Sequence, residues 1–166
     1  MREISANDFV VRPIEAGDNQ AIASIIRKTL AEFGANHPGT VYYDESTDHL
    51  FEMFRTARSA YFIAGDGKKI LGGAGIFPTN GLPEGTCELV KMYLLPEARG
   101  AGLGRRMMDV CLQTARDVGY KNVYLETMPE LKKAISNYQK YGFTALDKPM
   151  GNSGHHGCDI WMIREI

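Results

Sequence analysis

The chain has 166 residues, of which 44% are hydrophobic and 23% charged, and its formal net charge is -1. These ordinary globular values argue against a disordered, collagen-like or coiled-coil protein. A nearly neutral chain has no general attraction for nucleic acid or anionic membranes, so we expect neither as a partner. The length suits one core, and we predict a single domain over residues 1–166.

The expected compartment is the cytoplasm. No apolar stretch approaches the roughly 20 residues needed to cross a bilayer, and the segment MREISANDFVVRP lacks the apolar core of a signal peptide. The three cysteines, Cys87, Cys111 and Cys158, form no C-x-x-C pair. We therefore expect reduced, buried thiols rather than a disulfide framework or a zinc site, and the sequence indicates no other metal.

The first half of the chain predicts a strand, two helices and a hairpin. Residues 9–14 are typical of a strand, and Asp18 is placed to cap a helix that ends at Gly34. The apolar positions of this helix keep helical spacing: Ile22, Ile25, Ile26, Leu30 and Phe33. A short helix follows near 48–57, and the Asp-Gly pair at 66–67 predicts the turn of a hairpin.

The second half predicts strand, helix, strand and helix over residues 86–141, followed by strands near 143–147 and 158–165. A capping-box pattern from Thr127 to Glu130 predicts the start of the second of these helices. This order of elements predicts an α/β fold with a mixed, mostly antiparallel central sheet and helices on both faces.

The glycine-dense stretch EARGAGLG, residues 97–104, separates a predicted strand from a predicted helix. Glycine inside a helix costs about 1 kcal/mol relative to alanine, so three glycines in this position indicate close approach of a ligand to the backbone. A phosphate or pyrophosphate held by the first amides of the helix, with Arg99, Arg105 and Arg106 nearby, fits this pattern. A tight turn without a ligand is the alternative, and neither the P-loop nor the dinucleotide-binding pattern is present.

The pattern R-x-x-G-x-G, from Arg99 to Gly104, resembles the signature of the GNAT superfamily of N-acetyltransferases, which opens a helix after the fourth strand. A second resemblance is AISNYQKYGF at 134–143, which is similar to the family's A-x-x-x-Y-x-K-x-G-F helix end. The two motifs occur in the family's order with a predicted strand between them. The resemblance covers roughly residues 86–145, and the order of elements before residue 86 also agrees with it.

The resemblance implies an acetyl-CoA-dependent N-acetyltransferase that acts on a primary amine of a small molecule or peptide by direct attack in a ternary complex. It implies that the pyrophosphate binds the glycine loop and that the pantetheine arm follows the preceding strand. The implied cofactor-binding residues are Met92, Tyr93, Leu94, Arg99, Gly100, Ala101, Gly102, Leu103, Gly104 and Arg105. A non-catalytic acyl-CoA-binding or sensing domain is the alternative, and a homodimer is left open.

Glu88 is a candidate general base. Strand alternation predicts that it shares one apolar face with Val90, Met92 and Leu94, and such a setting raises the pKa of a carboxylate. Its position eleven residues before Arg99 is similar to that of the general-base glutamate in histone-acetylating members of the superfamily. A carboxylate that is solvated, or paired with a lysine such as Lys91, is the alternative.

Glu126 and Tyr138 are further catalytic candidates. Glu126, near the end of the next strand, is a second base, unless it binds the amides of a helix N-terminus. Helical spacing turns Tyr138 inward, where a tyrosine is most often part of the core. The resemblance instead implies a general acid toward the CoA sulfur, and a phenol with a pKa of about 10 can donate to a thiolate. Leu131 stands where many members have an asparagine, so one pantetheine hydrogen bond is missing or is made elsewhere.

Two segments bear on the acceptor. The glycine-rich stretch before the last strand carries His155 and His156, which we expect to be structural or exposed, although a position over the acceptor pocket is the alternative. Asp44, Glu45 and Asp48 would suit a cationic acceptor, but we expect a solvated face.

Overall fold

The computed structural model describes residues 8–166; residues 1–7, which the single-domain prediction also includes, lie outside the described part. Within that range the strands are β1 (Val10–Pro13), β2 (Ala60–Gly65), β3 (Ile70–Phe77), β4 (Thr86–Leu94), β5 (Asn122–Thr127), β6 (Thr144–Leu146) and β7 (Ile160–Glu165). The helices are α1 (Asn19–Glu32), α2 (Leu50–Met53), α3 (Leu103–Asp117) and α4 (Lys132–Lys140). Short 3₁₀ turns lie in several of the connections.

The strands form a seven-stranded sheet in the order β1-β2-β3-β4-β5-β7-β6. Neighbouring strands run antiparallel except β4 and β5, which are parallel. The predicted mixed, mostly antiparallel sheet is therefore confirmed. Among residues 8–166, no helix combines the length and the apolar character needed to span a bilayer.

Helices cover both faces of the sheet, as predicted. The apolar stripe of α1, with Ile22, Ile26 and Leu30, packs into a core cluster with Ile63 and Val90. The stripe of α3 packs against the opposite face in a second cluster that includes Leu103, Met107, Met108, Cys111, Leu112 and Ala115. Four of the five predicted apolar positions of α1, namely Ile22, Ile25, Ile26 and Leu30, thus belong to the core between the helix and the sheet.

Three local predictions were wrong. The Asp18 carboxylate does not cap α1, since it accepts hydrogen bonds from Arg12 at 2.7 and 2.9 Å and from the Glu15 N–H. Phe33 is 41% exposed beyond the end of α1 instead of packing in its stripe. Thr127 pairs with Ile160 as the last residue of β5, so α4 starts only at Lys132 and not within the capping-box pattern.

Strand β4 contains a bulge that breaks the predicted alternation. Gly73 of β3 pairs with Tyr93 and Gly75 pairs with Val90, so β4 has one extra residue in this interval. Lys91 within it adopts a left-handed conformation, with φ of 52°. Val90 consequently packs on the α1 side, whereas Met92 and Leu94 pack on the α3 side. The prediction that Glu88 shares a face with Met92 and Leu94 was therefore wrong, because a bulge reverses the side-chain order beyond it.

Tyr61 of β2 holds this bulge in place. Its hydroxyl donates a 2.7 Å hydrogen bond to the Lys91 carbonyl. The ring lies over β3 where a side chain on Gly73 would approach within 2.6 Å of it. Gly73 and Gly75 of the LGGAGI segment thus make room for the tyrosine that fixes Lys91.

Strands β4 and β5 separate soon after they begin to pair. Their parallel register extends only from Thr86 opposite Asn122 to Glu88 opposite Tyr124, although β4 continues to Leu94 and β5 to Thr127. The backbone of β4 beyond Glu88 therefore has no strand partner on its β5 side. A cavity opens between the diverging strands.

Candidate active site

The cavity between β4 and β5 has a volume of about 610 Å³. It brings together the three catalytic candidates, Glu88, Glu126 and Tyr138, with most of the residues implied to bind the cofactor: Met92, Tyr93, Leu94, Arg99, Gly100, Gly102, Gly104 and Arg105. Two implied residues do not line it. Ala101 packs against the α3-side core, and the Leu103 side chain is fully buried in that core.

The glycine loop forms the start of α3. Gly100 and Gly102 have φ values of 82° and 84°, a left-handed conformation that other residues rarely adopt, and Gly102 is the N-cap. The first N–H groups of a helix have no intrahelical partner and lie at the positive end of its dipole. This end of the cavity is therefore suited to bind an anion.

The three arginines of the loop have different roles. Arg99 donates to the Leu94 carbonyl at 3.0 Å and pairs with Glu32 at 2.8 Å, which ties the loop to the end of α1. Arg106 donates to the Phe9 carbonyl at 2.7 Å. Arg105 lines the cavity, and no described carboxylate lies within 4 Å of its guanidinium. Arg105 is thus the loop cation that remains available to a ligand.

Glu88 is a buried carboxylate with an altered pKa. It is 3% exposed, and the Thr79 hydroxyl donates to its Oε1 at 2.6 Å. Burial raises the pKa of Glu88 to about 7, and the charge of Glu126 acts in the same direction. The Thr79 hydrogen bond and electrostatic interactions with His155 and Lys91 lower this pKa without outweighing the burial. The carboxylate is neither solvated nor within 4 Å of a lysine nitrogen, which excludes the alternative for Glu88.

Glu126 lies across the gap on β5. Its Oε2 accepts a 2.6 Å hydrogen bond from Tyr124, and its Oε1 accepts one from Ser153. The His155 Nδ1 lies 3.8 Å from Oε1. The partners of Glu126 are therefore side chains of β5 and of the segment between β6 and β7, not the amides of a helix.

Glu88, Glu126 and His155 each place one ligand atom within 4.8 Å of the others. A small cation could be held at the centre of such a group. Two carboxylates and an imidazole nitrogen are ligands for a metal ion, and the same acceptors can receive hydrogen bonds from an ammonium group. Sequence analysis considered these residues separately and did not predict that they meet.

A buried ion network supports this cluster. The Lys91 nitrogen lies 3.6 Å from Asp44 Oδ2, and the His155 Nε2 lies 2.5 Å from the same oxygen. Burial alone would raise the pKa of Asp44, but the contacts with His155 and Lys91 outweigh it and lower that pKa. Burial lowers the pKa of Lys91 despite the nearby carboxylates of Asp44 and Glu88.

These contacts correct two expectations. Asp48 is exposed and pairs with Arg27, as a solvated face would, but Asp44 is turned toward Lys91 and His155. His155 lines the cavity, and its side chain is 10% exposed. Asp44 and His155 are 111 residues apart, and no local pattern marks either residue for the other.

Tyr138 lines the cavity from α4 and packs edge-on against Phe143, with 6.1 Å between ring centroids. Burial raises the pKa of Tyr138 to about 12, so the phenol keeps its proton at neutral pH. It can donate that proton but is a poor base.

All three cysteines are free and buried, as expected. Cys158 lines the cavity, but burial raises the pKa of its thiol to about 12. A thiol with so high a pKa is almost entirely protonated at neutral pH and is a weak nucleophile.

Comparison with known proteins places the chain in a family. The model of the acetyltransferase (GNAT) family matches residues 23–143. An uncharacterised N-acetyltransferase of Escherichia coli strain K12, YjgM, is 36% identical over 167 residues, which cover 100% of both chains.

Solved structures share the fold. A GNAT-family acetyltransferase from Staphylococcus aureus Mu50 has a TM-score of 0.83 at 15% identity, covering 95% of this chain and 98% of that one. The PaiA N-acetyltransferase of Thermoplasma acidophilum, in complex with coenzyme A, has a TM-score of 0.74 at 15% identity, covering 95% and 99%. The chain is therefore an N-acetyltransferase of the GNAT family.

Proposed function

We propose that this acetyltransferase transfers the acetyl group of acetyl-CoA to a primary amine of a small molecule or peptide, by direct attack in a ternary complex. The observation that carries the proposal is the position of Glu88. A buried carboxylate with a pKa of about 7 shares one cavity with an anion-binding glycine loop. Such a group is matched to accept a proton at neutral pH.

The co-substrate fits along the length of the cavity. Its pyrophosphate meets the amides at the start of α3, with Arg105 as a neighbouring cation. Its pantetheine arm follows Met92 to Leu94, where the β4 backbone has no partner on the β5 side. The coenzyme A bound by the PaiA relative supports this choice of co-substrate.

The acceptor amine fits between the two glutamates. A tetrahedral ammonium that donates two hydrogen bonds of about 2.8 Å holds its acceptors about 4.6 Å apart. The ligand atoms of Glu88, Glu126 and His155 lie within 4.8 Å of one another, so one ammonium can reach more than one of them. The positive charge of Lys91 beside the cluster disfavours a divalent ion and is compatible with a single ammonium.

The reaction follows from these positions. Glu88 takes one proton from the ammonium, and the neutral nitrogen attacks the thioester carbonyl carbon. As the carbon–sulfur bond breaks, Tyr138 donates its proton to the departing thiolate, and the attacking nitrogen loses its second proton to water, which returns a proton to the Tyr138 phenolate. The products are an acetamide, coenzyme A and the proton held by Glu88. We assign the carbonyl polarisation to a β4 backbone N–H between Met92 and Leu94.

Direct attack is favoured over an acyl-enzyme because the cavity cysteine is poorly suited to be a nucleophile. The raised pKa of Cys158 leaves its thiol unactivated, and among the described residues its one hydrogen bond with a histidine joins the Cys158 N–H to the His155 carbonyl, not the thiol to an imidazole. The first experiment is thiol release from acetyl-CoA with a panel of amino acids, polyamines, aminoglycosides and peptides. With an accepted amine, we expect intersecting initial-velocity lines and unchanged activity in Cys158→Ala; parallel lines with an acetylated protein mass would contradict direct attack.

A further inference from the structure

Thr29 carries a buried hydroxyl that no other group satisfies. The residue lies on α1, is 6% exposed, and its Oγ1 has no hydrogen-bond partner among residues 8–166. A threonine in a helix commonly bonds a carbonyl one turn earlier. A buried hydroxyl without a partner destabilises the folded protein, and valine would fill the same space without that penalty. Thr29 is therefore poorly explained by the fold alone.

Thr29 also lines the cavity. Phe33, which directly follows the end of α1, lines it too, and its ring centroid lies 5.2 Å from the guanidinium carbon of Arg99. The end of α1 therefore forms a wall of the cavity near the glycine loop. Because Thr29 precedes Phe33 by one turn, it lies roughly 5–6 Å further along the helix from that contact.

The same cavity also reaches the carboxylate cluster. Val41 lines the cavity, and its carbonyl accepts the N–H of Asp44, the residue that holds Lys91 and His155. Thr29 thus shares one cavity with the anion-binding loop and with the carboxylate cluster. In the proposed complex this cavity contains the pantetheine arm, whose two amides need hydrogen-bond partners.

The side chain at the start of α4 cannot supply such a partner. Leu131 lines the cavity at the N-cap of α4, and its side chain is aliphatic. We propose that the Thr29 hydroxyl forms a hydrogen bond with an amide of the pantetheine arm, an inference that rests on the proposed use of acetyl-CoA. Thr29 is then a cofactor-binding residue contributed by α1, outside both sequence motifs.

The test compares Thr29→Val, which keeps the shape, with Thr29→Ser, which keeps the hydroxyl. Calorimetry would measure the Kd of two ligands. The first is coenzyme A, and the second is adenosine 3′-phosphate 5′-diphosphate, which lacks the pantetheine arm. We expect Thr29→Val to raise the Kd of coenzyme A about five- to tenfold, the value of one hydrogen bond. The Kd of the shorter nucleotide should not change, and Thr29→Ser should bind both ligands like the unsubstituted protein.

Thermal unfolding provides a second readout. Without ligand, Thr29→Val should unfold at a higher temperature than the unsubstituted protein, because it removes an unpaired buried hydroxyl. Saturating coenzyme A should raise the unfolding temperature of Thr29→Val by less than it raises that of the unsubstituted protein. A residue retained only for the fold would show the opposite change in the ligand-free protein.

Three results would overturn the inference. The Kd of coenzyme A could be unchanged in Thr29→Val, the Kd of the nucleotide without the arm could rise by the same factor as that of coenzyme A, or the substitution could change only the KM of the amine. Failure of the unsubstituted protein to bind coenzyme A would instead contradict the proposed co-substrate. The two failures are therefore distinguishable.

Discussion

The Lys91 ammonium nitrogen lies 3.6 Å from the Asp44 carboxylate, and the Lys91 side chain is only 2% exposed. Lys91 reaches this position because the β4 bulge places it in a left-handed conformation that Tyr61 holds. Asp44 in turn holds His155 against the cluster that contains Glu88 and Glu126. The strained residue thus connects the sheet to the carboxylates of the candidate active site.

Removing both members of this pair should cost less than the sum of the two single losses. Lys91→Met leaves Asp44 without its lysine partner, and Asp44→Asn leaves a buried ammonium, so each should lower the free energy of unfolding by about 3 kcal/mol. The double variant should lose less than the sum, with a coupling energy of about 1–3 kcal/mol in urea unfolding. Strictly additive losses would show that the two groups do not interact.

Glu88→Gln should lower kcat/KM for the acceptor about a hundredfold, because general-base catalysis contributes about that factor or more. In the unsubstituted enzyme, kcat/KM should rise with pH through about 7 as Glu88 loses its proton. The variant should lack this rise. A pH profile of kcat/KM checks both effects.

Glu126→Gln is the matched control for that profile. It keeps the base, so the rise in kcat/KM should remain. Because the charge of Glu126 helps to raise the pKa of Glu88, the rise should move to lower pH in this variant. A rise near pH 7 that persists in Glu88→Gln would assign the base to another group.

Glu88 should also make the protein less stable as pH increases. Its pKa in the folded protein, about 7, lies above its ordinary value of 4.5, so the folded state binds the proton more tightly. This contribution to stability is complete below the ordinary pKa and is lost as the pH rises through 7. Between about pH 5 and about pH 8, Glu88→Gln should become progressively more stable relative to the unsubstituted protein in urea titrations. A stability difference independent of pH would contradict the raised pKa.

Tyr138→Phe should lower kcat by about a hundredfold if the phenol is the general acid. The ring and its contact with Phe143 remain, so the Kd of acetyl-CoA should change little. Steady-state kinetics together with calorimetry separate these quantities. Tyr141→Phe, a second cavity-lining tyrosine of the same segment, is the control and should retain activity. Equal kcat in Tyr138→Phe and the unsubstituted enzyme would remove Tyr138 from the mechanism.

The sequence was informative where one element determines its own structure. The spacing of Met107 and Cys111 predicts the buried face of α3, and the glycines before it predict a helix start that a ligand can approach. The Asp-Gly pair at 66–67 likewise predicts the turn between β2 and β3. These features depend on neighbours within about one or two helical turns, so a local pattern contains them.

The remaining features depend on contacts between distant segments. The Lys91 bulge needs the Tyr61 hydroxyl, 30 residues earlier. The contact between Asp44 and His155 joins residues 111 positions apart. Thr127 has the local pattern of a helix cap but remains in β5, because pairing with Ile160 competes successfully with capping. The acidic and basic residues could therefore be identified as candidates, but their arrangement could not.

The most direct test of the whole account is the binding of coenzyme A to the glycine loop, measured by calorimetry on Gly100→Leu and Gly119→Leu. Both glycines have left-handed φ values, 82° and 94°, so the two substitutions introduce similar backbone strain. A side chain at Gly100 meets no protein atom within 4 Å but projects from the loop that lines the cavity, whereas Gly119 follows the other end of α3. We predict that Gly100→Leu loses binding and Gly119→Leu retains it; equal binding by both variants would contradict the account.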